Sequence, residues 1–211
     1  PVLPVAGGDA GNWLVATSRP WTGTLGVFAS PTVAGFDYRG AVDQQGTVGE
    51  LLEGTSVTDV VSRWDSASEI LVKLCTGTFS SADSTQVLAG QNALAIRHAE
   101  GWEIVQFENS ILVADRTWKL SRLLRGQAGT EYLAGSTLKS GSGVVLLDTA
   151  LPPLPIADHE LGLALNWRIG SGDTPLSDTA FSVCNFEAGY SSLMPLSPVH
   201  LKVSGSAAEG I

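Results

Sequence analysis

Apolar residues in this chain recur every second position far more often than every third or fourth. In the segment LGLALNWRI, Leu161, Leu163, Leu165, Trp167 and Ile169 alternate strictly with Gly162, Ala164, Asn166 and Arg168. A period of two puts one set on a single face of a β-strand. Ile70, Val72 and Leu74 alternate in the same way with Leu71, Lys73 and Cys75, as do Leu94 and Ile96 with Ala93, Ala95 and Arg97, and they predict two more strands. From Glu103 to Val113 the odd positions Val105, Phe107, Ile111 and Val113 are apolar, whereas Gln106, Glu108 and Ser110 are polar. A second run starts at Thr117, directly after Asp115-Arg116, so the pair predicts a hairpin. Its return strand sets Trp118 and Leu120 against Lys119 and Ser121 until Arg122-Leu123-Leu124-Arg125 breaks the phase, where a bulge or a strand end is expected.

Shorter candidates at Trp13 to Thr17, Leu25 to Ala29, Val144 to Asp148, Ala180 to Phe186 and Val199 to Val203 bring the expected total to around nine or ten strands. Two short helices are expected, at Thr47 to Glu53 and at Ser80 to Leu88. In the second, Ser80 or Ser81 can cap the free amides and Asp83 suits the positive end of the dipole. The 24 Gly and 10 Pro fall between the apolar segments as turns do. The expected fold is mainly β: a β-sandwich or a partly closed β-barrel of roughly ten short strands with one or two short helices. The three prolines of Leu151 to Pro155 bar that segment from a central strand, which makes it a hinge or crossover. Residues 1–150 are therefore expected to form the main β domain. Residues 151–211 would form a smaller β portion, within the same domain or beside it, ending in a linker to a further domain. The start at Pro1 and the Ser/Gly/Ala-rich stretch from Ser204 to Gly210 add the expectation of a piece of a longer or processed polypeptide.

Charge narrows the partners. With 12 basic and 21 acidic residues the formal net charge is −9, and no basic cluster exceeds a pair, so neither nucleic acid nor an anionic membrane surface is an expected partner. Apolar runs such as Val144 to Leu147 are far too short to cross a bilayer as a helix. Cys75 and Cys184 are too few and too far apart for a disulfide scaffold or a CxxC zinc site, and read as two buried, reduced thiols, with one long-range bridge as the alternative.

Candidate chemistry is sparse. Nucleophilic catalysis needs a base beside a Ser or Cys, and only His98, His159 and His200 are available. His98 reads as a core or edge histidine, His159 as a loop residue and His200 as surface; no GxSxG elbow accompanies them. The carboxylates Asp37 with Asp43, and Asp65 with Glu69, are the candidate pairs for glycoside hydrolysis, but their setting is that of polar loops. No metal-ligand spacing occurs, so no metal and no cofactor is expected. Six tryptophans remain. Trp118 and Trp167 lie on apolar strand faces and are expected in the core, whereas Trp13, Trp21, Trp64 and Trp102 sit beside polar or glycine positions and are candidate surface contacts.

The run WEIVQFENSILVADRTWKLSRLLRGQAGTE, Trp102 to Glu131, is the most distinctive segment. It resembles the C-terminal region of the large tail-tip, or host-specificity, proteins of gene transfer agents and siphovirus-like phages, the baseplate "megatron" type. Those proteins carry a WEVLQF-like strand, a short turn, then Tyr or Trp followed by LSRLLRGxxGTE. Here Trp102 to Phe107 and Leu120 to Glu131 match the two halves. Further segments agree in order: RPWTGTLGVF at Arg19 to Phe28, VGELL at Val48 to Leu52, WDSASEILVKL at Trp64 to Leu74, LAGQNALAI at Leu88 to Ile96, VVLLD at Val144 to Asp148 and PLSPVHLKV at Pro195 to Val203. The resemblance implies a noncatalytic structural and interaction module, located at the tail tip of a virion or gene transfer agent particle after synthesis in the host cytoplasm. Its expected partners are other tail and baseplate proteins and copies of itself, with a host envelope receptor as a further candidate.

Within that segment Gly126 and Gly129 permit tight turning. Arg125 and Glu131 bracket the loop and are expected to stabilise it by an ion pair or by bonds to carbonyls across it. Two other readings stay open: a receptor-binding module holding cell-surface glycan on exposed aromatic side chains, and a glycan hydrolase using a carboxylate pair.

Overall fold

The computed structural model describes residues 2–4, 12–21, 23–54, 63–177 and 179–188. Among these residues the chain forms β1 (Val2–Pro4), β2 (Asn12–Leu14), β3 (Leu25–Ser30), β4 (Asp37–Val42), β5 (Val48–Glu53), β6 (Asp65–Thr76), α1 (Ser84–Leu88), β7 (Ala93–Arg97), β8 (Trp102–Ala114), β9 (Thr117–Gln127), α2 (Glu131–Ala134), β10 (Gly143–Leu146), β11 (Pro153–Leu154), a 3₁₀ turn (Asp158–Glu160), β12 (Ala164–Ser171) and β13 (Ser182–Glu187). The protein is mainly β, as its alternation predicts.

Six consecutive strands, β5 to β10, close into an antiparallel barrel in the order β10-β5-β6-β9-β8-β7. The inward positions fill it: Ile70, Val72 and Leu74 from β6, Leu94 and Ile96 from β7, Val105 and Phe107 from β8, Leu120 and Leu123 from β9, Leu51 from β5 and Val144 from β10. Phe79 and Leu138, outside the strands, complete this core, and Phe79 meets Phe107 and Trp118 edge-on. Closure leaves no free sheet edge, which is how a barrel of short strands satisfies its backbone.

The other two sheets come from the segments that flank the barrel in sequence. One has the order β1-β2-β11 and the other β13-β12-β3-β4. They share a core of Leu14, Leu25, Val27, Ala29, Val42, Leu154, Leu165 and Trp167. Val15 and Leu151 pack with Ala95, Ile104 and Val145 on the barrel's outer side, so β7 and β10 are covered on both faces.

Several expectations are refined. The segment Thr47 to Glu53 is not a helix but β5, hydrogen-bonded between β6 and β10. Leu51 points into the barrel, and a Cβ on Gly49 would come within 2.9 Å of the Leu74 Cα. Pairing on both sides overrides any local helical preference. The second helix forms as α1, but its cap is Asp83, whose carboxylate accepts from the Gln86 N–H while the Gln86 side chain accepts from the Asp83 N–H. The hairpin turns at Asp115-Arg116 as expected. The phase break falls where Arg122 adopts φ +56° and the β6–β9 ladder shifts register between Asp65 and Glu69. The strand read from Leu161 starts at Ala164, with Leu163 exposed before it.

Residues on the two sides of position 150 share sheets, because β11 pairs with β2 and β12 with β3. Pro153 lies on the outer strand of its sheet, where a missing amide costs no ladder bond. Val199 to Val203 lies outside the described residues.

Candidate functional site

The segment Arg125 to Glu131 closes one end of the barrel around a buried carboxylate. Between Ile104 and Gln106 on β8 there is one residue, whereas between their partners Gln127 and Leu124 on β9 there are two, Arg125 and Gly126. This two-against-one bulge, with Gly126 at φ +61°, turns Arg125 into the interior. Arg125 and Glu103 are both 0% exposed. The Glu103 Oε1 accepts from Arg125 Nε at 2.9 Å and from the Gly126 N–H at 3.1 Å, and Oε2 accepts from Arg125 Nη2 at 2.7 Å. Arg125 Nη2 also donates to the Ser136 carbonyl at 2.8 Å.

Arg125 braces the loop by the expected bond to a carbonyl across it, that of Ser136. Arg125 pairs with Glu103, across the sheet, and Glu131 begins α2. Helix α2 packs so close to the bulge that a Cβ on Gly126 would fall 2.7 Å from the Ala134 Cβ and 2.9 Å from the Glu131 Cα. Gly129, at φ +82°, completes the turn, and the Thr130 hydroxyl accepts from the Ile104 N–H and donates to the Gln127 carbonyl.

His98 joins this cluster. Its Nε2 lies 2.9 Å from Glu103 Oε2, and its side chain is 7% exposed. A carboxylate surrounded by donors only accepts, so Nε2 carries the hydrogen. His98 is therefore held by a side chain rather than by a backbone group. An imidazole oriented by a carboxylate is half of a nucleophile-activating arrangement. Among the described residues, His98 makes no hydrogen bond to a serine hydroxyl or a cysteine thiol.

Asp65, also buried, lies near the same arginine. Burial alone would raise its carboxyl. Hydrogen bonds from the Ser68 side chain and from the Ser68 and Ala67 N–H groups, together with the Arg125 charge, outweigh burial and hold it below its ordinary value. Its neighbour Glu69 pairs with Lys119 at 3.1 Å on the surface. Asp37 is exposed, and Asp43 accepts from the Thr24 hydroxyl. His159 is exposed in the 3₁₀ turn, and His200 lies outside the described residues.

A cavity of about 580 Å³ opens beside the cluster. The β7–β8 turn, with Arg97, His98 and Glu100, lines one side, and the loop from α2 to β10, with Ser136, Thr137, Lys139, Ser140 and Ser142, lines the other. A second cavity, about 710 Å³ and mostly apolar, lies between residues 14–18 and the β12–β13 pair.

The candidate aromatic contacts are all half-buried. The Arg97 guanidinium lies 5.3 Å over the Trp102 ring and that of Arg122 lies 5.0 Å over Trp64. Trp13 and Trp21 pack against the outer-barrel and flanking-sheet cores. Trp167 is 1% exposed and stacks on Phe186 at 5.0 Å. Among the described residues the exposed aromatics are instead Tyr38 and Tyr132, the tip of the β8–β9 hairpin exposes Ile111, Leu112 and Val113, and Cys75 and Cys184, expected to be buried, are exposed free thiols.

Glu103 is the residue that sequence reasoning missed. It shares odd parity with the inward Val105 and Phe107, and a carboxylate on a core face requires a cation. That parity was the available signal.

Residues 46–145 match the family model described as Rcc01698-like, C-terminal. No curated protein matches the chain. The matched span runs almost strand for strand over the barrel, β5 to β10, and includes the whole Glu103–Arg125 cluster. This similarity is consistent with a protein associated with gene transfer agents.

Proposed function

We propose that the chain is a noncatalytic structural and interaction module of the tail tip or baseplate of a gene transfer agent or phage-like particle, held by other tail proteins and by copies of itself. The observation that carries this reading is the coincidence of the family match with the closed barrel. The Trp102 to Glu131 run supplies that barrel's longest hairpin and its buried ion pair. A content of 16% charged residues also suits surfaces that are covered in an assembly.

Immunogold labelling of purified particles with an antibody to this chain tests the proposal, alongside particles from cells lacking its gene. Label at the tail tip, and missing or malformed tips without the gene, are expected. Label on capsids, or intact tips without the gene, overturns the reading.

A further inference from the structure

The cavity at the barrel end has two walls that the fold holds in place. One wall is the β7–β8 turn, closed by the His98 N–H donating to the Gly101 carbonyl at 2.8 Å, with the His98 ring fixed on Glu103. The opposite wall is tied to the same carboxylate through Arg125, which holds the Ser136 carbonyl. Further along that wall, Gly141 and Ser142 exchange backbone bonds with Leu51 at 2.7 and 2.8 Å. Both walls are therefore anchored to the closed barrel, and a ligand entering between them would meet little ordering cost.

The lining is chemically biased. In a chain of net charge −9, this cavity gathers Arg97 and Lys139 against one acid, Glu100. Among the described residues neither Arg97 nor Lys139 has a carboxylate within 4.0 Å. Arg97 is also oriented: its ring-facing side covers Trp102 and its Nε donates to the His98 carbonyl at 3.2 Å. Its two terminal amino groups are left as a fork suited to an oxyanion. The side-chain hydroxyls of Ser140 and Ser142 make no hydrogen bond among the described residues and are free to meet hydroxylated ligands.

We propose that this cavity binds an acidic saccharide, with the sugar carboxylate held by Arg97 and Lys139 and its hydroxyls by the serine-lined wall. A volume of about 580 Å³ is within the usual range for small-ligand sites, roughly 300–1,000 Å³. The assignment goes beyond the assembly role, and the two can fail separately.

The test is calorimetric titration of the whole chain with trigalacturonate, with galactotriose as a neutral counterpart and with inorganic phosphate. Trigalacturonate is expected to bind at least tenfold more tightly than either of the others. Arg97→Gln should weaken it at least tenfold and Lys139→Gln severalfold, while Lys73→Gln, outside the cavity, leaves it unchanged. Both cavity positions are exposed, so the variants should keep the parental melting curve. Absence of trigalacturonate binding overturns the proposal, as does binding that the two cavity variants leave intact. Equal binding of galactotriose removes the acid from the assignment, and equal binding of phosphate removes the sugar; either overturns it.

Discussion

The barrel and the flanking sheets each contain an arginine that grips a glutamate with two nitrogens, and the two pairs differ in how the fold treats them. In the barrel, Arg125 and Glu103 sit at 0% exposure, joined by His98 and the Gly126 N–H. In the flanks, Arg39 on β4 grips Glu160 at 2.5 and 3.0 Å with side chains 19% and 11% exposed. The barrel pair joins neighbouring strands of one hairpin. The flanking pair spans 121 residues and ties the chain segment before the barrel to the one after it, which enter and leave side by side where Val48 pairs with Val145. Water can partly replace a lost partner at the second pair but not at the first. A desolvated ion pair is poor evidence of added stability, yet removing one partner from it is severe.

The sharpest way to break the comparison is Arg125→Ala. It leaves the buried Glu103 with the His98 ring and the Gly126 N–H but without its guanidinium, and is expected to destabilise the protein by about 3–5 kcal/mol, read as a lower urea midpoint with an unchanged slope. Arg125→Met combined with Glu103→Leu should recover part of that loss, because the unpaired charge is removed while the Gly126 N–H, the His98 ring and the Ser136 carbonyl lose these partners. A single variant as stable as the parent would show that water reaches the pocket. Next in size is Gly126→Ala, which places a Cβ at a positive φ, 2.7 Å from the Ala134 Cβ. Strain and overpacking each cost of order 1–3 kcal/mol, so a loss of about 2 kcal/mol or more is expected in the same titration.

At the flanking pair, Glu160→Gln retains the shape but removes the charge, and a loss of about 1–2 kcal/mol is expected, as for hydrogen bonds to charged groups. The Arg39 guanidinium, opposed in part by burial and helped by the Ala157 N–H, holds the Glu160 carboxyl below its ordinary value. A lowered folded-state value means that the contribution is complete above the ordinary glutamate value and is lost as pH falls through the lowered one. Denaturant titrations of parent and Glu160→Gln should therefore differ at neutral pH and converge in acid. A constant gap across that range would detach the stabilisation from the carboxylate charge.

The same contrast explains what the sequence makes legible. In the barrel, alternation at Ile70, Val72 and Leu74 reveals a strand and the two-residue turn at Asp115-Arg116 reveals the pairing of β8 with β9, whereas the β6–β9 and β5–β10 ladders join strands that no turn connects. The partners of Leu25–Ser30 are Asp37–Val42 nearby and Ala164–Ser171 far along the chain, and no local pattern encodes the second. Thr47 to Glu53 misleads because its fate is decided by strands on either side, not by its own residues. At the site, Arg125, Gly126 and Gly129 stand out as a corner, and the corner exists. The local pattern points to Glu131 as its partner, because sequence separation hides that Glu103 lies across the hairpin.

The smallest expected effect concerns the far end of that hairpin, where the barrel's logic stops applying. Val105 and Phe107 are fully buried, but Ile111, Leu112 and Val113 on the same strand are 54%, 57% and 50% exposed. Strand β7 pairs with β8 only as far as Gln106, so beyond that point the hairpin has left the body that β7 covers. Apolar residues that stay half in water return little burial energy on folding. Ile111→Thr and Leu112→Thr, which keep β-branching or strand preference at an exposed site, are expected to alter stability by no more than about 0.5 kcal/mol. Phe107→Ala, on the same strand, should cost about 3–5 kcal/mol. If instead the tip variants lose more than about 1 kcal/mol, the exposed end of β8 must fold against something, and the limit of the packed barrel along this strand would have to be redrawn closer to Asp115.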